Sequence, residues 1–435
     1  MSFNRGKPQH AECTAPSLAT ARETLAKQYS AVRCTSEAMC QTLAPDDYNL
    51  QAMPDVSPAK WHLAHTTWFF ETFLLKVFVP DYRPYHPQFE HLFNSYYEQV
   101  GAPFPRSQRG LISRPTTEEV FRYRAHVDEA MTALLDSPND AHWSELSARV
   151  ALGCHHEEQH QELLLTDIKY NFSINPLRPA YRADLPTTAG QVDTAMTWVE
   201  QPGGIQEIGH NSADFSFDNE TPRHRVLLSS YALGSRLVTN AEYLAFIEAG
   251  GYEHPEFWLA DGWRAVREKS WQAPLYWEKA GGRWRIFTLA GMRALNSQEP
   301  VCHVSFYEAD AYARWAGKRL PSETEWEVIA QQQKTDGNLR EAGNLHPVPV
   351  SAGMSPAQIF GDVWEWTRSS YAPYPGYRPA AGALGEYNGK FMVNQLVLRG
   401  GSCVTPTDHV RASYRNFFYP TDRWQFSGIR LADDR

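Results

Sequence analysis

A change of texture near Asn175 divides this 435-residue chain and constrains its fold more than any other feature. Before it, apolar residues recur at helical spacing over long stretches. After it, short apolar runs such as RHRVLLSSYALG and QLVLRGGS alternate with Gly, Pro and Trp. The length exceeds one ordinary domain and implies two, perhaps three. NPLRPAYRADLPTTAGQ, rich in Pro and small residues, reads as a surface linker. The expected division is a helical domain over 1–175, a linker over 176–195 and a second domain over 196–435.

Four long helices are predicted in the first part. One begins at Ser17 and runs to about Thr42, with Leu18, Ala21, Leu25 and Tyr29 on one side. A second starts with Ser57 as N-cap and Pro58 at the first helical position, and continues to about Val77. A Pro- and aromatic-rich loop spans Pro80 to Pro115, and long ordered loops are often functional. Thr116 or Thr117 caps the third helix, and the fourth covers about Asp140 to Tyr170. This pattern fits a four-helix bundle. Residues 1–14 read as a ragged start. The second part shows helices only at Asn240–Ala249, Phe306–Ala316 and Glu323–Gln331, which reads as α+β with much irregular structure.

The fourth helix holds His156-Glu157-Glu158-Gln159-His160. Histidines at i and i+4 project from one helical face, so two imidazoles can meet one metal ion. His155 points about 100° away around the helix. HExxH first calls to mind a zinc peptidase with Glu157 as general base. That chemistry needs a third ligand downstream. QELLLTDIKYNFSINP offers no GxxH, and Glu162 is too close to serve. The second helix offers His62 and His65, either of which could complete a three-imidazole set across a bundle. Three protein ligands leave open positions for substrates and dioxygen.

Composition narrows the class. Hydrophobic residues make up 42% and charged residues 21%, as in soluble globular proteins. With 50 acidic against 41 basic residues and no Lys/Arg run, nucleic acid is a poor partner. The 6 cysteines form no CxxC and read as free thiols. MSFNRGKPQH has no apolar core segment and so reads as no signal peptide. No apolar stretch reaches the roughly 18 residues of a membrane span. The expected location is cytoplasmic, with no membrane partner. Oligomeric state is left open.

Several segments resemble one family, the EgtB-type sulfoxide synthases of ergothioneine biosynthesis. SPAKWHLAHTTWFFE and HHEEQHQELL resemble its two metal-binding segments. FSFDNETPRHRV, PVCHVSFYEADAYARWAGKRLPSETEWE, GDVWEWT, RGGS and YRNFF follow in the family's order. The resemblance covers nearly the whole chain. It implies a DinB-like four-helix bundle followed by a C-type-lectin/formylglycine-generating-enzyme-like α+β domain. It also implies Fe(II) as cofactor, held by His65, His156 and His160. The implied reaction joins Nα-trimethylhistidine (hercynine) to cysteine or γ-glutamylcysteine with O2, one oxygen ending in the sulfoxide and the other in water. Formylglycine-generating enzymes use a close cysteine pair near RGGS. Here only Cys403 lies there, which implies a substrate-binding scaffold and a small buried residue.

The same resemblance assigns further roles. Gln159 would bond the substrate imidazole. Arg106 and Arg109 would clamp the thiol substrate's carboxylate, since guanidinium and carboxylate pair bidentately. Tyr96 or Tyr97 would deliver a proton and steer the reaction to C–S coupling instead of thiol dioxygenation. Asn416 would meet the hercynine carboxylate, while Phe417 and Phe418 offer faces to its trimethylammonium group. No acidic residue stands near the second Phe, which leans toward free cysteine as donor. The alternatives are an ovothiol-type synthase using unmethylated histidine, a selenoneine-type synthase, and, in a different class, a non-catalytic metal-binding module.

Overall fold

The computed structural model describes residues 18–137, 141–187, 195–351 and 355–435. The ragged start predicted over 1–14, Ser17 and Asp140, and most of the linker's second half, lie outside the described residues. Four long helices form the first part: α1 (Leu18–Cys40), α2 (Ala59–Phe70), α3 (Thr117–Asp136) and α4 (Trp143–Ile174). α1 and α3 flank α2 and α4, so the bundle expected from the periodicity is present. α2 is continued by a π-helical turn, Glu71–Leu75, and a last turn to Phe78.

Local chemistry explains the boundaries. Thr116 caps α3: its Oγ1 accepts from Glu119 N at 3.2 Å, and Glu119 Oε2 accepts from Thr116 N at 2.6 Å. Ser57 does not cap α2 as predicted; Pro58 occupies the cap position. The Ser57 N–H instead bonds Asp167 Oδ2 at 2.8 Å and its Oγ accepts from Arg109 at 2.9 Å. Tertiary partners outbid the local cap. Gly153 sits inside α4 because a Cβ there would stand 2.5 Å from the Phe70 ring. That absence lets α2 and α4 approach closely where they carry their histidines.

The second part contains β1 (Trp198–Gln201), β2 (Gly204–Ile208), β3 (His224–Leu228), β4 (Tyr231–Gly234), α5 (Asn240–Glu248), α6 (Ala260–Lys269), β5 (Trp277–Ala280), β6 (Arg283–Thr288), β7 (Gly291–Ala294), α7 (Phe306–Trp315), α8 (Glu323–Ala330), β8 (Trp364–Ser370), β9 (Leu396–Arg399), β10 (Asn416–Phe418), β11 (Ser427–Gly428) and β12 (Ala432–Asp434). These form small sheets in the orders β1-β4-β12, β10-β9-β8-β11, β2-β3 and β5-β6-β7. α5, α7 and α8 each open on a Ser or Thr capping box, with Thr239/Glu242, Ser305/Glu308 and Ser322/Glu325.

Among the elements that escaped the sequence reading are a short helix, Phe89–Phe93, inside the predicted loop, α6 and the β5–β6 hairpin. α6 is short and largely polar, burying Gly262, Ala265 and Val266 with Trp263 half-buried beside them, so it draws little notice in the sequence. The β5–β6 hairpin turns through Gly281 and Gly282, both at positive φ. No helix among the described residues is long and apolar enough to cross a membrane.

One apolar core runs through both parts. α4 is the common spine. Its Glu162 carboxylate accepts from Trp364 Nε1 at 2.5 Å and Thr405 Oγ1 at 2.8 Å, both in the second part. Lys169 Nζ lies 2.7 Å from His303 Nε2.

Candidate metal centre and substrate pocket

His65 on α2 and His156 and His160 on α4 converge, with one donor atom from each lying within 4.8 Å of the others. His65 Nδ1 donates to the Phe93 carbonyl at 2.6 Å, which sets its tautomer and turns the Nε2 lone pair inward. That Nε2 stands 3.2 Å from His156 Nε2. Trp61 and Trp68 stack on either side of His65, with ring centroids at 4.6 and 5.5 Å. Such a ring cannot rotate freely. Burial, then the neighbouring His156, pushes the His65 pKa well below its ordinary range. Burial, then His65, does the same for His160, and burial pushes His156 down to about 3. The three imidazoles are therefore neutral, the form in which imidazole binds a metal. The donor set fits a divalent first-row ion such as iron, and three nitrogens leave coordination positions open.

His62 does not join the cluster. Its Nδ1 meets His160 Nδ1 at 2.9 Å and its Nε2 meets Asp167 Oδ2 at 3.0 Å. An Asp–His–His line thus orients His160 from outside the cluster. Glu157 is turned away as well. Its carboxylate binds Arg33 at 2.8 Å, Arg124 at 3.0 Å and Ser36 at 2.6 Å. Burial pushes its pKa up, but Arg33 and Arg124 outweigh that and hold it below the usual carboxylate range. A carboxylate so committed is no general base, so the peptidase reading loses its base as well as its third ligand.

Gln159 faces the second part. Its Nε2 donates to Tyr414 Oη at 2.8 Å, and its Oε1 accepts from Tyr387 Oη. The Tyr387 ring lies 5.6 Å from that of His156. Tyr96 and Tyr97 stack at 4.5 Å with hydroxyls 3.4 Å apart. Tyr97 is fully buried and packs on Trp68 at 5.6 Å, one ring removed from His65. Burial raises the pKa of both phenols above the ordinary value of 10.0, so both carry their protons.

The arginine pair divides. Arg109 is buried, lies 3.4 Å over the Trp61 ring and bonds Ser57. It forms no salt bridge among the described residues, and its Nε has no hydrogen-bond partner. Arg106 is exposed and donates to the Asp55 carbonyl. The aromatic segment also divides, because successive residues of β10 face opposite sides. Phe417 stacks on Tyr371 at 4.0 Å and approaches Phe391, which in turn meets Tyr96. Phe418 packs toward Trp424 at 6.4 Å. The Asn416 side chain accepts from the Phe417 N–H at 2.9 Å. Cys403 is buried, and burial raises its thiol pKa well above normal.

A cavity of about 1000 Å³ lies between the two parts, lined by Trp143, Phe215, Phe217, Asp218, Tyr387 and Asn388 among others. Tyr387 connects it to the histidine cluster. Sequence reasoning missed Tyr387, since EYNGKF bears no motif. Tyr414 stood inside the quoted YRNFF, but only the fold aims it at Gln159.

Comparison with known proteins agrees with this architecture. The DinB superfamily matches residues 28–164, and the sulfatase-modifying factor enzyme 1-like domain matches 183–348 and 351–435. The chain is thus of the class that joins a DinB-type helical domain to a sulfatase-modifying-factor-like domain. The hercynine oxygenase of Mycolicibacterium smegmatis is 34% identical over 95% of this chain and 99% of that protein. That of Mycobacterium tuberculosis is 34% identical over 89% and 94%. The chain belongs to the hercynine oxygenase family and is an oxidoreductase. The formylglycine-generating enzyme of Streptomyces coelicolor is 29% identical over 59% of this chain.

Proposed function

We propose that this chain is a non-haem iron(II) sulfoxide synthase that uses dioxygen to join the imidazole of hercynine to cysteine. The convergence of three neutral imidazoles from α2 and α4 carries this reading. Iron(II), when held by His65, His156 and His160, supplies a redox-active Lewis acid with positions left for the reactants.

The chain's own residues do the rest. Gln159, held between two phenols, presents an amide that can bond the hercynine imidazole. Arg109 is a buried cation that forms no salt bridge among the described residues, and a substrate carboxylate would supply its counter-ion. Arg106, exposed, suits the outer edge of that subsite. Phe217, Tyr387 and Asp218 give the cavity aromatic and acidic walls suited to a trimethylammonium cation. Asn416 and Phe417 would meet the hercynine carboxylate and trimethylammonium group from β10, where Phe417 packs on Tyr371 and Phe391, while Phe418 turns to the opposite face toward Trp424. Tyr97, one ring removed from His65 across Trp68, and Tyr96 stacked on it hold protons near the cluster, where a phenol can serve as general acid. Water is excluded by Trp61, Trp68 and Phe69, all buried. We place the activity in the cytoplasm.

The test is product analysis by mass spectrometry with Fe(II), oxygen, hercynine and a panel of thiols. The expected product is the hercynine–cysteine sulfoxide. His65→Ala, His156→Ala and His160→Ala should each abolish coupling together with iron binding. Undiminished coupling in the iron-free His65→Ala protein would overturn the proposal.

A further inference from the structure

α4 carries a second convergence of metal-type donors, and it faces away from the first. Residues 156 and 160 share one helical face. His155 sits about 100° and Glu158 about 160° around from 156 in the same sense, one turn apart from each other. The third donor crosses from the other domain: His409 closes a short 3-10 turn, Thr407–His409, between β9 and β10. His155 Nδ1 lies 2.8 Å from Glu158 Oε2. His409 Nδ1 lies 3.2 Å from the same oxygen, and the two Nδ1 atoms are 3.1 Å apart. All three side chains are buried.

Hydrogen bonding accounts for only part of this triangle. Two N–H groups can both point at one carboxylate oxygen, but the nitrogen–nitrogen edge then holds no bond. Donors bound at about 2.0–2.2 Å around a tetrahedral zinc ion stand roughly 3.3–3.6 Å apart, so the edges here, at 2.8–3.2 Å, would open by only a few tenths of an ångström to admit one. The surroundings fit as well. His409 Nε2 is 2.9 Å from Tyr414 Oη, the outer bond that orients a ligating histidine. The His155 ring stacks on Phe215 at 4.0 Å. A surface hollow of about 300 Å³, lined by Glu158, Arg340, Thr407 and Asp408, reaches the cluster. It provides an entry path, and either Asp408 or water can fill a fourth position.

We propose that His155, Glu158 and His409 form a second, structural zinc site that clasps the C-terminal domain to the helical bundle. Two imidazoles and one carboxylate are a zinc-type donor set. The clasp also braces Tyr414, and through it Gln159, so two hydrogen bonds link it to the amide beside the first cluster.

The experiment counts metal on full-length protein. Chelator-stripped wild type is loaded with zinc alone, desalted and analysed by elemental mass spectrometry. About two equivalents are expected, against about one in His409→Asn and about one in His65→Ala/His156→Ala. X-ray absorption of the zinc-loaded double variant should show imidazole and carboxylate ligation. Zinc should raise the melting temperature of the double variant, and chelator should reverse this. The proposal is overturned if the double variant retains no zinc, or if His409→Asn binds as much as wild type. If His409→Asn does not fold, the double variant alone decides. Iron retention is scored separately and tests only the first cluster.

Discussion

Single hydrogen bonds set the chemistry of the central residues. His65 is a metal-type donor because Phe93 takes its Nδ1 proton, whereas His62, three residues earlier, spends both nitrogens on His160 and Asp167. Nothing in WHLAH separates these two histidines, since a helix alone cannot say which face meets α4. Tyr96 and Tyr97 are likewise adjacent but unlike. Tyr97 is sealed in the bundle, while Tyr96 touches Phe391 of the second domain. Both remain protonated, so either can serve as an acid. Tyr97→Phe or Tyr96→Phe should shift the product from sulfoxide toward cysteine sulfinate, read as a ratio by mass spectrometry. Unchanged ratios in both variants would remove the role from this pair.

At the scale of elements, the buried charge of Glu157 ties α4 to α1 and α3 through Arg33 and Arg124. The HExxH pattern correctly marks a helix with two histidines on one face, but the glutamate inside it serves the bundle. Removing one member of a buried ion network strands the others, at a typical cost of about 3–5 kcal/mol. Glu157→Ala should therefore lower unfolding free energy by roughly that amount in denaturant titration. A loss of activity at unchanged stability would instead restore a catalytic part for this carboxylate. α6 was passed over for another reason: it is amphipathic, but short and largely polar, so it offers little apolar surface to notice in the sequence.

Across the whole molecule, α4 is shared by both domains, and the junction is lined with titratable groups. Lys169 is buried against His303, Tyr276 and Phe426. Burial lowers its pKa from the ordinary 10.5 to about 8. The folded state thus prefers the neutral amine, and below about pH 8 the charged form opposes folding. The unfolded chain binds more protons between these values, so stability should rise as pH climbs from about 8 toward 10.5. At about 1.4 kcal/mol per pKa unit the full window is worth roughly 3 kcal/mol. Lys169→Met should flatten that rise in unfolding curves taken at pH 8 and pH 10, and an unaltered slope would assign it to other groups.

The amino-acid sequence by itself determined the helical first part, the Thr116 cap of α3, the positions of α5, α7 and α8, the i, i+4 pairing of His156 with His160, and the family. These are local properties, written in spacing and capping chemistry over a few residues. Tertiary structure alone decided that Arg109 turns inward while Arg106 stays at the surface, that Phe417 and Phe418 part company across β10, and that Tyr387, Tyr414 and His409 meet α4. The last of these contacts join residues more than 200 positions apart, as in the Gln159–Tyr414 bond. No local pattern encodes them, because their geometry follows from how two independently patterned domains close on a shared helix.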